Sequence, residues 1–194
     1  MTRIDRRTFI RQSLRTAVAV SAAGCLPAID ILALPAHAAE MPPLAVRKGS
    51  DVALLVRETL SALGGMEAFV KPGDIVVVKP NIGWDRTVEL AANTHPDVVK
   101  ALVQLCLEAG AKRVRIFDRP CNDERRCYTQ SGIRAALEQI KSDRVSLEYM
   151  DRRAYRELAI HGGRAFDRWE FYLPAIESDR LINVPIAKHH SISR

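Results

Sequence analysis

From Asp51 onward the apolar positions fall into short blocks whose spacing alternates between two periods. Val52, Leu55, Val56, Leu60 and Leu63 recur at helical spacing until Gly64-Gly65 stops them, so a helix is expected there with Ser50 as its N-cap. Lys71-Pro72-Gly73-Asp74 is turn chemistry. The run Ile75-Val76-Val77-Val78 after it is short, β-branched and uninterrupted, as expected of a strand buried on both faces, and it ends at Lys79-Pro80-Asn81. A loop with Gly83 and Trp84 leads to Thr94-His95-Pro96, the expected start of a second helix. Its apolar face is Val98, Val99, Leu102, Leu105 and Cys106, and it closes at Ala109-Gly110.

The alternation continues with a strand expected from Arg113 to Asp118, a helix from Ser131 to Ile140 and a strand from Val145 to Met150 that ends at Asp151. Between Arg152 and Phe171 the pattern blurs. Gly162-Gly163 suggests a hairpin turn there and Arg168 to Tyr172 a short strand. One or two helical turns within Leu173 to Ser178 then precede Arg180-Leu181-Ile182-Asn183-Val184, read as a fourth buried strand stopped by Pro185. Helix and strand in turn, with short connections, imply a three-layer α/β fold. The expected sheet is mostly parallel with helices on both faces, Rossmann-like in topology and incomplete at the C-terminus.

The first forty residues follow another pattern. Asp5-Arg6-Arg7-Thr8-Phe9-Ile10-Arg11 resembles the twin-arginine export motif, built on Arg6 and Arg7. An apolar stretch from Ala17 to Ile29 is too short for a spanning helix, and Ala36-His37-Ala38 has the small-x-small form of a signal-peptidase site. The expected organisation is a signal peptide at 1–38 cleaved after Ala38, a linker at 39–49 and an α/β domain at 50–194. That organisation implies a periplasmic or otherwise exported protein, the twin-arginine translocase as its partner during export, and no transmembrane segment in the mature chain.

Composition adds limits. With 47% apolar and 27% charged residues among 194, the chain is neither collagenous nor wholly disordered. Half of the formal net charge of +6 comes from Arg3, Arg6, Arg7, Arg11 and Arg15 against Asp5 and Asp30, within the expected signal. The other arginines are interspersed with carboxylates, so no nucleic-acid partner is expected.

In an open α/β sheet, ligands sit outside the carboxyl ends of the strands, and this chain puts its unusual polar residues there. Lys79 and Asn81 follow the first strand, Asp118, Arg119 and Cys121 the second, Asp151 the third, and Asn183, Lys188, His189 and His190 the fourth. Lys79, Arg119 and Lys188 suit a carboxylate or phosphate, with Asn81 and Asn183 as further ligand contacts. Asp118 suits a base or metal ligand, and His189 a proton carrier near neutral pH. Asp118, Lys188 and His189 are the catalytic candidates. No glycine-rich phosphate loop, Walker pattern or G-x-S-x-G elbow accompanies them.

Beyond the expected cleavage point stand Cys106, Cys121 and Cys127. Cys121 and Cys127, six positions apart, leave three readings open: a disulfide suited to an oxidising compartment, two free thiols, or a metal site completed by Asp118 or His189. C-x5-C is not a familiar zinc or ferredoxin spacing, and no four-cysteine cluster motif is present.

Val76-Val77-Val78-Lys79-Pro80-Asn81, Asn93-Thr94-x-Pro96, Glu108-Ala109-Gly110-Ala111 and Leu181-Ile182-Asn183-Val184-Pro185-x-x-Lys188-x-His190 together resemble the family catalogued as domain of unknown function 362. Members of that family are often exported by the twin-arginine route or fused to four-iron ferredoxin modules, so the resemblance implies an iron–sulfur redox partner. Members usually continue past the Lys-x-His segment into a Met-Lys-Asn element and more α/β structure, so a C-terminally truncated domain is expected here. Two functional classes follow. One is an α/β enzyme or enzyme fragment that binds a small anionic substrate at the strand ends. The other is a non-catalytic periplasmic binding or accessory protein with a structural disulfide, or an inactive truncated product.

Overall fold

The computed structural model describes residues 44–189. The twin-arginine pair Arg6 and Arg7, the cleavage position after Ala38 and His190 lie outside the described residues. Among those that are described, no helix is long and apolar enough to cross a membrane.

Helix α1 (Val52–Ser61) starts one residue later than its sequence suggested, because Asp51 rather than Ser50 caps it, the Asp51 carboxylate accepting from the Leu54 N–H at 3.0 Å. Strand β1 (Ile75–Pro80) follows, then helix α2 (Pro96–Glu108), with Pro96 in its first turn and His95 Nδ1 accepting from the Asp97 N–H. Gly110, at φ +90°, turns the chain out of α2, and a Cβ there would sit 3.1 Å from the Pro72 Cα. Strand β2 (Arg113–Ile116) comes next.

The helix expected over Ser131–Ile140 is present, and a further helix that the sequence pattern did not announce precedes it. They are α3 (Glu124–Gln130), capped by Asp123 through the Arg126 N–H at 3.0 Å, and α4 (Ile133–Glu138). Gly132 between them takes φ +74°, which a continuous helix cannot contain. The polar run Asn122 to Arg126 hides α3 from a periodicity argument, but Asp123 before Glu124 is a helix-start signature that locates it.

Strand β3 (Val145–Leu147) is shorter than expected, and the blurred region resolves into the antiparallel hairpin β4 (Tyr155–Ala159) and β5 (Arg168–Tyr172). Helix α5 (Leu173–Ile176) and strand β6 (Arg180–Val184) are the last elements among the described residues. The main sheet is wholly parallel in the order β3-β2-β1-β6. After β3 the chain crosses to the far side of β1, which makes the gap between β1 and β6 the topological switch point of a doubly wound sheet.

Three layers result. Val76, Val78, Val114 and Ile116 point to the helical side, where they join Val99, Val103, Tyr128 and Ile133 in the main core. Val77 points the other way and packs with Phe117 and Tyr172 under the hairpin and α5. On that second face Arg115 forms a two-pronged pair with Glu148 (2.9 and 2.6 Å), and Ser146 Oγ donates to the same carboxylate. Burial pushes the Glu148 carboxyl up, but the hydrogen bonds from Arg115 and Ser146 outweigh it and leave it below the usual range.

The fourth strand departs from its expectation of full burial. Among the described residues β6 is an edge strand, in which Val184 is buried and Leu181 is 53% exposed. A run of apolar residues cannot distinguish a central strand from an edge that lacks a neighbour.

Candidate functional site at the strand ends

Parallel strands place successive side chains on alternate faces, so β1 carries Lys79 on the same face as Val77, one step nearer the carboxyl end. Its register partner across the switch point is Asn183 of β6, which is exposed. Next to β1, the chain leaving β2 carries Phe117 and then Asp118. Asp118 is 5% exposed, and its Oδ1 lies 2.7 Å from Lys79 Nζ, while its Oδ2 accepts from the Ile82 N–H at 2.8 Å. The ammonium therefore compensates a carboxylate that the fold has taken out of water, as a buried charge requires. Lys79 remains 43% exposed, leaving N–H donors free to meet a ligand.

Tyr128 fixes the backbone of the same residue. Its hydroxyl accepts from the Asp118 N–H and reaches the carbonyls of Asp118 and Glu148, all at 2.9 Å, joining the ends of β2 and β3. Burial pushes the Tyr128 phenol well above its ordinary value. Thr94 does the equivalent at the switch point, where its Oγ1 accepts from the Asn81 N–H at 2.8 Å and donates to the Val184 carbonyl at 2.6 Å. Asn93 holds the intervening loop, accepting from the Trp84 N–H and donating to the Trp84 and Arg86 carbonyls. The loops after β1 and β2 are fastened to each other by Cys121 N–H to Gly83 O and by Arg126 to Asp85.

Asn81 turns inward, and its Oδ1 is buried without a hydrogen-bond partner among the described residues. An acceptor in that position costs about 1–3 kcal/mol relative to a satisfied one. Lys188 Nζ donates to the Ala92 carbonyl at 2.7 Å and lies 5.9 Å from the centre of the Trp84 ring, so it fastens the segment after β6 to the loop after β1. His189 is exposed beside it. Asp151 serves as a turn residue, and hydrogen bonds from the Arg153 side chain and backbone hold its carboxyl below the usual range.

Arg119 opens into a cleft of two adjoining lobes. The smaller, about 260 Å³, runs from Asp118 and Arg119 past Pro120 and Asn122 to Met150 and Arg152. The larger, about 520 Å³, shares Arg119, Arg152 and Tyr155 with it and extends along the hairpin to Trp169 and Glu170. Asp118 and Arg119 are thus brought together on one cleft with Lys79 joined to them through the ion pair, whereas Asn81, Asn183, Lys188 and His189 do not line it. Arg152, Tyr155, Thr94 and Tyr128 were missed at the level of sequence. Arg152 carried a signal, since it follows the third strand, but Tyr155 lies in the blurred region.

The metal set of Cys121, Cys127, Asp118 and His189 does not assemble. Cys106, Cys121 and Cys127 are free thiols, with Cys121 exposed and Cys127 buried. Among the described residues no three His, Cys, Asp or Glu side chains are grouped as metal ligands. The physical reason is that Cys127 points into the helical core from α3 while Asp118 faces Lys79. Burial pushes the Cys127 thiol up.

A family model described as a domain of unknown function, DUF362, matches residues 76–194. A thylakoid-associated protein of Synechocystis is 32% identical over 149 residues, which cover 74% of this chain and 42% of that protein. The chain thus spans less than half the length of that relative. No solved structure matches the chain.

Proposed function

Because the chain belongs to the DUF362 family, a family of unknown function, its activity has to be read from its own side chains, and we propose that it is an α/β ligand-binding module for a small anion held outside the carboxyl ends of β1, β2 and β3. The observation that carries this reading is the Lys79–Asp118 pair at the head of a cleft into which Arg119 and Arg152 project. Neither arginine forms an ion pair among the described residues, so both guanidiniums are available to a carboxylate or phosphate. In this reading Lys79 supplies a further cationic contact at the lip. Asp118 positions Lys79 and, lining the smaller lobe, is the group placed to exchange a proton with a bound ligand. Lys188 anchors the segment that carries His189.

The order of Arg6, Arg7, apolar stretch and Ala38 supports export of this module by the twin-arginine route. The name of the Synechocystis relative associates that protein with a membrane system and adds no activity. A paired Arg6→Lys, Arg7→Lys substitution is expected to leave the chain in the cytoplasm in a fractionation experiment.

Calorimetric titration with phosphate and with 3-phenylpropanoate tests the binding reading. At least one is expected to bind with an affinity that falls as salt is added and drops roughly tenfold in Arg119→Ala. Absence of binding by either, or identical binding in an Arg119→Ala, Arg152→Ala double variant, overturns it.

A further inference from the structure

The larger lobe of the cleft is lined by basic residues from the strand ends and by carboxylates from the hairpin. On one side stand Arg119, which follows β2, and Arg152, which follows β3. On the other side stand Glu157 and Glu170, which are direct register partners across β4 and β5. Like charges directly opposite in an antiparallel pair destabilise it. Arg168 relieves only one member, its Nε lying 2.6 Å from Glu157 Oε1, and Glu170 has no ion-pair partner among the described residues. The fold therefore leaves Arg119, Arg152 and Glu170 without ion-pair partners among the described residues around the same 520 Å³ space, which Arg168, paired with Glu157, also lines. Tyr155, on the same face of the hairpin as Glu157 and Glu170, adds aromatic surface to that space.

A simple anion satisfies the arginines but approaches Glu170 unfavourably. A ligand that carries an ammonium as well as a carboxylate satisfies both walls at once. We propose that the cleft binds an α-amino acid zwitterion with an aromatic side chain, its carboxylate on Arg119 and Arg152, its ammonium on Glu170, and its ring against Tyr155. A lobe of this volume lies in the range of small-molecule sites. The assignment deepens the anion-binding reading and rests on it.

Calorimetric titration of the full chain with L-phenylalanine, 3-phenylpropanoate and 2-phenylethylamine separates the two. The expected result is that phenylalanine binds roughly tenfold or more tightly than either analogue, and that Glu170→Gln erases its advantage over phenylpropanoate. A thermal melt of the Glu170→Gln protein checks that it is folded, which removal of a like charge should favour. If phenylpropanoate binds as tightly as phenylalanine, the zwitterion assignment falls and the anion reading stands. If phenylalanine leads but Glu170→Gln leaves its lead intact, the ammonium is not on Glu170 and the assignment is overturned. If neither carboxylate binds, or only the amine does, the zwitterion assignment falls, and the anion reading falls with it only when phosphate fails to bind as well.

Discussion

Lys79 Nζ stands 2.7 Å from an Asp118 oxygen, and the other oxygen of that carboxylate accepts the Ile82 N–H. The pair joins neighbouring strand ends, and its two members differ in exposure, with Lys79 43% exposed and Asp118 nearly enclosed. Removing the lysine strands a desolvated carboxylate, whereas removing both charges does not. Lys79→Met is therefore expected to lower stability by about 2 kcal/mol, less than for a fully buried pair because the ammonium is partly hydrated. The Lys79→Met, Asp118→Asn double variant should recover most of that loss. Urea denaturation of the three proteins measures it, and additive losses in the double variant would show that the pair is not coupled.

Thr94 offers a second test at the switch point. Thr94→Val keeps the shape of the side chain but leaves the Asn81 N–H and the Val184 carbonyl without their partner. The expected cost is about 2–4 kcal/mol, since both groups lie in a largely enclosed region. Thr94→Ser keeps the hydroxyl and should lose much less. Hydrogen exchange at the Asn81 amide should accelerate in the valine variant and not in the serine one.

The contrast between these two residues shows what the sequence makes legible. Lys79 and Asp118 could be named beforehand because each follows an apolar run, and strand ends are where an open sheet gathers its ligands. Thr94 could not, because its partners are 13 and 90 residues away, and the same sequence position also reads as a helix start. The parallel sheet and the main core follow from Ile75–Val78 and the Val98–Cys106 face. The hairpin was legible in its turn at Gly162-Gly163 and its second strand, Arg168–Tyr172, but not in β4, and Glu157 and Glu170 acquire meaning only when the register opposes them. Lys188 was legible as a basic residue near the site, but its contact with the Ala92 carbonyl depends on how the segment after β6 folds back.

The thiols separate the readings that C-x5-C left open. Cys121 is exposed, while Cys106 and Cys127 are buried and unbonded. Brief alkylation of the folded protein with iodoacetamide, followed by peptide mapping, should modify Cys121 and spare the other two. In denaturant without reductant, all three should react. Failure of both Cys121 and Cys127 to react under those conditions would reveal a disulfide between them.

Cys106 links the core to alkaline stability. It lies fully enclosed on α2, and burial pushes its thiol from 9.0 up to about 12. The folded chain thus holds this proton more tightly than the unfolded chain does. The resulting stabilisation is complete below the unfolded value near pH 9 and is lost as pH rises toward 12. Three pH units correspond to on the order of 4 kcal/mol, the upper limit of the stability lost through this single group over that window. Cys106→Ala should be somewhat less stable at pH 7, because it leaves a small cavity. Its stability should fall less steeply than that of the parent between pH 9 and 12, so the two denaturation midpoints should converge as pH rises. Parallel curves over that window would show that the thiol does not ionise on unfolding and that the alkaline loss arises elsewhere.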